Sequence, residues 1–269
     1  MTDRYAVVGN PVAHSLSPRI HAAFAANTGE DIEYGRLEAP VDGFVRTATT
    51  FFAEGGRGLN VTLPFKLDAW RWVDAHDAAA AASGAVNTIV LDGDRHRGCN
   101  SDGIGLVRDL TDRLGWELDG ARTLVLGAGG AVQGVLGPLL DAGCAGLTIA
   151  NRTREKASAL AARFGVAASS LDDVGTGWDV VINGTSAGLA GVGGLVPQQA
   201  VDGSRCYDLF YALDAPTPFC EWARENDARA VSDGLGMLVE QAAEAFRLWR
   251  GVHPDTAGVA ESLRNAAPP

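Results

Sequence analysis

Lysine is almost missing from this 269-residue chain: Lys66 and Lys156 stand alone among its 22 basic residues, and the rest are arginine. Arginine stays protonated in a protein, whereas lysine can give up a proton. A background that uses arginine nearly everywhere therefore marks Lys66 as a position where an amine is a chemical requirement. Positive charge as a whole is also short. The formal net charge is -11, so the bulk field repels nucleic acid and anionic membranes, and a phosphate-bearing ligand needs a local positive site. Long apolar runs are lacking, and no stretch stays uncharged long enough to cross a bilayer. Met1-Thr2-Asp3-Arg4 leads straight into a β pattern, so no secretory leader is expected and the cytoplasm is the expected compartment. Cysteine is limited to four scattered residues, Cys99, Cys144, Cys206 and Cys220. Their spacing fits neither a metal motif nor a disulfide scaffold, so reduced, packed thiols and no metal site are expected.

What is present points to an α/β protein. With 46% hydrophobic residues the chain is globular and long enough for two modest domains, each with its own core. Short β runs alternate with helical patterns, the mark of a mostly parallel sheet. Strands are expected over 5–8, 33–37, 58–62 and 86–91, and helices over 18–27, 42–54 and 67–75. Ser17 is placed to cap the first helix, with Pro18 at its first position. Asp92-Gly93-Asp94 reads as a tight turn, 78–82 as an alanine-rich helix and 104–114 as an amphipathic segment. The domain boundary is expected there, giving 1–102 plus 237–269 as one domain and 103–236 as the other. In the second, strands over 123–126, 147–150, 180–183 and 206–210 alternate with helices through 140 and over 154–164, a mononucleotide-binding order. The last helix, 238–250, carries Phe246 and Trp249 and follows a completed unit, so it is expected to return to the first domain.

Leu124-Val125-Leu126-Gly127-Ala128-Gly129-Gly130-Ala131 sets glycines between a buried strand and a helix, where bare backbone can approach a pyrophosphate. The third glycine of the usual G-x-G-x-x-G pattern is replaced by Val132. After the next strand, where an acid would grip a ribose diol, the chain has Asn151-Arg152-Thr153, then Arg154 and Lys156. An acid would repel a 2′-phosphate and a guanidinium fork can bind one, so NADP is favoured over NAD. Near the start, Gly9-Asn10-Pro11-Val12-Ala13-His14-Ser15-Leu16-Ser17-Pro18 offers two hydroxyls before a helix, suited to a carboxylate.

Taken together, Asn10-Pro11 with His14 to Pro18, Asn60-Val61-Thr62-Leu63-Pro64-Phe65-Lys66, Gly84-Ala85-Val86-Asn87-Thr88, Asn100-Ser101-Asp102-Gly103, Gly127 to Ala131, Asn151-Arg152-Thr153 and Asp233-Gly234-Leu235-Gly236-Met237 resemble the shikimate dehydrogenase family, in that family's order and over nearly the whole chain. The resemblance implies a cytoplasmic enzyme of aromatic amino-acid biosynthesis that reduces 3-dehydroshikimate to shikimate with NADPH. It implies an N-terminal substrate domain and a Rossmann-like NADP domain with a cleft between them. Carried over by position, it gives Lys66 and Asp102 as the catalytic pair, and Ser15, Ser17 and Tyr211 around the substrate carboxylate. Thr62, Asn87, Asp102 and Gln241 would bond the ring hydroxyls. Gly127, Ala128, Gly129, Gly130 and Ala131 would hold the pyrophosphate, Asn151, Arg152, Thr153 and Lys156 the adenosine phosphate, and Gly234 and Met237 would border the nicotinamide. Three positions depart from the family pattern: Val132, Gln133 where a basic residue is expected, and Gly184 in Asn183-Gly184-Thr185.

Ketone reduction needs a hydride on carbon and a proton on oxygen, so Lys66 is the candidate acid and Asp102 the group that holds it. Two other functions remain open on sequence. One is an NAD-using quinate/shikimate dehydrogenase, which an acid in place of Asn151-Arg152 would favour; the other is a non-catalytic ligand sensor, which need not keep both Lys66 and Asp102. The partner expected is a small molecule, with no nucleic acid or membrane. A homodimer is an assembly that the sequence permits without requiring.

Overall fold

A computed structural model describes residues 2–185 and 194–265. The chain divides into two compact units, one up to Gly105 and again from Leu238, the other Leu106–Met237.

In the first unit, β1 (Asp3–Gly9), β2 (Ile32–Glu38), β3 (Gly56–Val61), β4 (Ala75–His76), β5 (Thr88–Asp92) and β6 (Arg95–Cys99) form a sheet in the order β2-β1-β3-β5-β6-β4. β1 pairs in parallel with β2 and β3, and β4 with β6, whereas β5 runs antiparallel to both β3 and β6. Helices α1 (Ser17–Thr28), α2 (Phe44–Ala53), α3 (Lys66–Trp72) and α4 (Ala78–Ser83) connect them. Period-2 alternation along β1 serves two layers. Ala6 and Val8 pack with Phe44, Phe51 and Phe65 of the α2 and α3 side. Tyr5 faces the other way and stacks on Trp249 at 4.6 Å between ring centroids.

Trp249 lies on α9 (Leu235–Arg250), whose indole N–H donates to the Ile89 carbonyl at 3.0 Å. Arg250 binds Glu30 at 2.6 Å and also reaches Asp3. The last long helix thus returns to the first unit, as expected; α10 (Val259–Asn265) follows it.

The second unit is reached within α5 (Asp102–Arg108), which runs into a π turn at Asp109–Arg113. Its strands β7 (Arg122–Leu126), β8 (Ala145–Ala150), β9 (Ala167–Ser169), β10 (Val180–Asn183), β11 (Arg205–Asp208) and β12 (Ala230–Asp233) are ordered β12-β11-β10-β7-β8-β9. All of its pairings are parallel. In chain order this is the 3-2-1-4-5-6 arrangement of a dinucleotide-binding sheet, whose order reverses between β7 and β10. Helices α6 (Gly130–Asp141), α7 (Arg154–Phe164) and α8 (Pro218–Glu225) cover it. Continuous apolar runs in β7 and β10 follow from burial on both faces. Val125, Val180 and Ile182 enter one core with α6, while Leu124, Leu126 and Val181 enter another with Phe219 of α8.

The structure corrects several local expectations. Ser17 is the first helical residue, not a cap; Leu16 precedes it and no side chain caps the helix. The stretch read as 104–114 is α5 followed by the π turn. β6, β4, β9, α8 and β12 were not foreseen. β6 reads Arg-His-Arg-Gly-Cys, a poor strand by propensity, and is a strand because the Asp92–Arg95 turn folds it onto β5. α8 carried a usable signal: Thr217 accepts from Cys220 N–H as its cap, and Pro218 opens the helix. The four cysteines are buried and free; burial pushes the Cys99 and Cys206 thiols up to about 12, so they are inert apolar filling.

Candidate active site

The C-terminal ends of β1, β3 and β6 and the start of β5 come to the same edge of the first sheet, since β5 alone runs in reverse. Lys66 opens α3 just past β3, and Asp102 opens α5 just past β6. Lys66 Nζ lies 2.6 Å from Asp102 Oδ2. The Lys66 carbonyl accepts from Val86 N–H at 3.0 Å, which ties the lysine to the loop before β5. The two side chains retain 23% and 11% of their exposure, so a small ligand can reach a pair that is otherwise shielded from solvent.

Asn87 orients the carboxylate. Its Oδ1 accepts from Ser101 N–H at 2.9 Å, a group that can only donate, so its Nδ2 must face Asp102 Oδ1, 2.8 Å away. Nδ2 also approaches Gln241 Oε1 of α9 at 3.4 Å. Asn100 Oδ1 accepts from Asp102 N–H at 3.1 Å while its own amide donates to Ser83 and Ala85. Gly105 lets α5 lie against α9, because a β-carbon there would sit 2.6 Å from Gln241 N. Lys66, Asp102, Asn87, Ser101 and Gln241 thus form one hydrogen-bonded group, with Asn87 at its centre.

From Asn87 the network continues inward. Thr88 Oγ1 donates to Asn87 Oδ1 at 3.1 Å, Asn60 Nδ2 to Thr88 Oγ1 at 3.1 Å, and Tyr34 O–H to Asn60 Oδ1 at 2.7 Å. Burial pushes the Tyr34 phenol up, and the Ser17 hydroxyl beside it opposes that push. Ser15 Oγ lies 3.2 Å from Ser17 Oγ, so the two hydroxyls stand side by side. Arg36, at the end of β2, grips the Ser15 carbonyl through Nε at 3.2 Å and Nη2 at 2.7 Å. Thr62 follows β3, with its methyl where a Gly9 side chain would otherwise begin.

In the second unit Gly127 follows β7 at φ +108°, a left-handed-side conformation that favours glycine. Its N–H donates to Ala150 O at 2.7 Å. Beyond it Gly129 and Gly130 are exposed, and a β-carbon on either would meet nothing within 4 Å, so bare backbone at the start of α6 is open to a ligand. Past β8, Asn151 Nδ2 donates to Thr153 O at 2.9 Å, while Arg152 and Lys156 are exposed. Gln133 accepts from Arg163 of α7 at 3.3 Å, so a guanidinium approaches the position that lacks a basic residue. After β12, Gly234 donates to Phe210 O at 2.9 Å and could carry no side chain, since its β-carbon would be 2.4 Å from Leu209 O. Met237 N–H donates to Tyr207 O–H at 3.3 Å, and Tyr207 donates in turn to the buried Asp109 at 2.5 Å. Tyr211 is half-buried past β11, and burial pushes its phenol up. Among the described residues no cluster of three or more His, Cys, Asp or Glu could hold a metal ion, and no helix is long and apolar enough to cross a membrane.

Comparison with known proteins follows the same division. Residues 7–89 match the shikimate dehydrogenase substrate binding domain, 109–196 the shikimate / quinate 5-dehydrogenase model, and 234–264 the shikimate 5′-dehydrogenase C-terminal domain. The shikimate dehydrogenase (NADP(+)) of Alkalilimnicola ehrlichii is 51% identical over 269 residues, covering 98% of this chain and 99% of that protein. The chain belongs to the shikimate dehydrogenase family. Among solved structures, the shikimate 5-dehydrogenase of Thermus thermophilus, crystallised with NADP(H) and shikimate, superposes with a TM-score of 0.88 at 34% identity, over 99% of this chain and 100% of that one. An Ael1 enzyme from Pseudomonas putida gives 0.94 at 42% identity, with 99% of each chain covered.

As a shikimate dehydrogenase family member, the chain carries site features that sequence reading passed over. Ser101, within Asn100-Ser101-Asp102-Gly103, shows no role by sequence, yet its N–H and hydroxyl lock the Asn87 amide. Thr88, Asn60 and Tyr34 extend that lock; Asn60 and Thr88 stand within motifs of the family resemblance, whereas Tyr34 has no signal beyond a polar tip in a strand. Arg36 left no local signal, because its target is a carbonyl 21 residues away.

Proposed function

We propose that this chain reduces 3-dehydroshikimate to shikimate with NADPH, as a cytoplasmic enzyme of aromatic amino-acid biosynthesis. The observation that carries this reading is the Lys66–Asp102 pair at 2.6 Å, oriented by Asn87 at the edge of the first sheet. NADPH, when bound, supplies the hydride to the ketone carbon. The proton is the protein's part. Lys66 Nζ is the proposed donor to the carbonyl oxygen, and Asp102 keeps the ammonium aimed while accepting a hydrogen bond from a ring hydroxyl. Asn87 holds Asp102 in one rotamer, so the pair needs no reorganisation when charge develops on the oxygen.

Ser15 and Ser17 are the proposed carboxylate site, while Thr62, Asn87 and Gln241 meet the ring hydroxyls. The open glycine turn fits a pyrophosphate: Gly127, Ala128, Gly129, Gly130 and Ala131 would hold it at the start of α6. Asn151, Arg152, Thr153 and Lys156 would hold the adenosine phosphate, and the lack of an acid at 151–153, directly past β8, favours NADP over NAD. Gly234 and Met237 would border the nicotinamide. No nucleic acid or membrane partner is invoked, and a homodimer is the assembly to test by sedimentation. The deciding assay mixes purified protein with shikimate and NADP and follows the absorbance of reduced nicotinamide, with NAD and quinate as parallel arms. Turnover fastest with shikimate and NADP is expected. No turnover with that pair refutes the reading, and faster turnover with quinate and NAD replaces it.

A further inference from the structure

Two departures from the family pattern, Val132 and Gly184, touch the same point of the second unit. The sheet order reverses between β7 and β10, and Gly127 and Gly184 are the first residues past the ends of those strands. A dinucleotide turn normally has a small residue at position 132, which lets the helix approach the strand. Here Val132 is fully buried in the first turn of α6. Its room comes from position 184: a β-carbon on Gly184 would lie 2.5 Å from Val132 Cγ2, well inside van der Waals contact.

Gly184 cannot retreat from such a clash. Its N–H donates to Leu126 O at 2.8 Å, on the neighbouring strand. On the other side Asn183 Oδ1 accepts from Thr185 N–H at 3.0 Å and Thr185 O–H at 2.8 Å, while Asn183 Nδ2 is anchored to the buried Asp208 at 3.0 Å. Gly127 rests on the same floor, since its own β-carbon would meet Gly184 O at 3.0 Å. A β-carbon at 184 would therefore press first on Val132, with Leu209 Cδ1 next at 3.1 Å, and Val132 and Gly127 flank the backbone N–H groups aimed at a ligand.

We infer that Val132 and Gly184 are a reciprocal pair of positioning residues that together set the nucleotide-binding turn for the dinucleotide. The inference rests on the proposed NADPH site and adds to it the residues that shape it. The test is a two-residue cycle of Gly184→Ala, Val132→Ala and the double variant, read by NADPH titration of the unliganded proteins through nicotinamide fluorescence and by their melting temperatures. Gly184→Ala is expected to weaken NADPH binding roughly tenfold, the scale of an overpacked core, and to lower the melting temperature. Its KM for NADPH should rise while the KM for shikimate stays unchanged. Adding Val132→Ala removes the methyl in conflict, so the double variant should regain most of the affinity and bind better than Gly184→Ala alone. Wild-type affinity in Gly184→Ala, or a double variant no better than that single one, overturns the inference. If the wild-type protein binds no NADPH, the cofactor reading fails instead, and additive melting temperatures across the cycle would then overturn the pairing by themselves.

Discussion

His21 makes folding stability depend on acid in a way that one substitution should abolish. The residue lies on α1 with no exposed surface, stacked on Tyr34 at 4.1 Å and close to Phe246 and Trp249. Neither ring nitrogen makes a hydrogen bond of normal geometry, the Asn60 side chain offering at most a weak one. Burial lowers its pKa to about 3, with the Asn60 side chain opposing that in part. In the unfolded chain the same ring titrates near the ordinary value of about 6.5. Between those values the unfolded state binds a proton that the folded state refuses, so stability rises with pH across that window. The contribution is complete above the unfolded pKa and declines as pH falls toward the folded one. At about pH 5 the loss is about 1.5 units at 1.36 kcal/mol each, or about 2 kcal/mol. Urea unfolding of wild type and His21→Phe at about pH 7 and about pH 5 measures it. Phenylalanine is larger and can shift stability at both pH values, but it cannot titrate, so the readout is the change between them. Wild type should lose about 2 kcal/mol more than the variant on acidification. Equal losses in the two proteins would refute the buried neutral imidazole.

Three further outcomes follow from the site. Lys66→Arg keeps the charge beside Asp102 but removes a group able to release a proton, so turnover should fall by roughly 100-fold or more with little change in substrate KM; near-normal turnover excludes the acid role. Arg152→Ala should raise the KM for NADPH far more than that for NADH, and equal effects would take Arg152 out of the phosphate site. Arg36→Met keeps an apolar stem but frees the Ser15 carbonyl, so the KM for shikimate should rise roughly fivefold at unchanged KM for NADPH. An unchanged shikimate KM would show that the serine loop holds its shape without the guanidinium.

Much of this is legible in the amino-acid sequence. The second sheet announces itself because β7 and β10 carry short runs of Val, Leu and Ile buried on both faces, and β8 sets Leu147 and Ile149 beside them. β9 and β12 escape notice because Ala167-Ala168-Ser169 and Ala230-Val231-Ser232-Asp233 carry little apolar signal and become strands by pairing with β8 and β11. β6 is the same case in the first sheet: its hairpin with β5 brings Cys99 opposite Thr88 and so delivers Asp102 to the edge where Lys66 stands. A strand with no strand-like composition thus positions half of the catalytic pair.

Local motifs were readable because each carries its chemistry in a few consecutive residues: a lone lysine after Pro64, an acid opening a helix, glycines after a strand. Relations between motifs were not. Val132 read alone is a side chain too large for its turn, and Gly184 read alone is a missing side chain beside a strand end. Side by side at the point where the sheet reverses, each fills what the other leaves, with 2.5 Å between the valine methyl and the atom that glycine omits. A chain read one window at a time registers two defects where the fold has one contact. The same holds for Arg36 and Ser15, and for Tyr34 and Asn60, whose partners lie 21 and 26 residues apart. What sequence conceals in this family member is therefore the support of the reacting groups more than the groups themselves, and that support is where this chain's individual character resides.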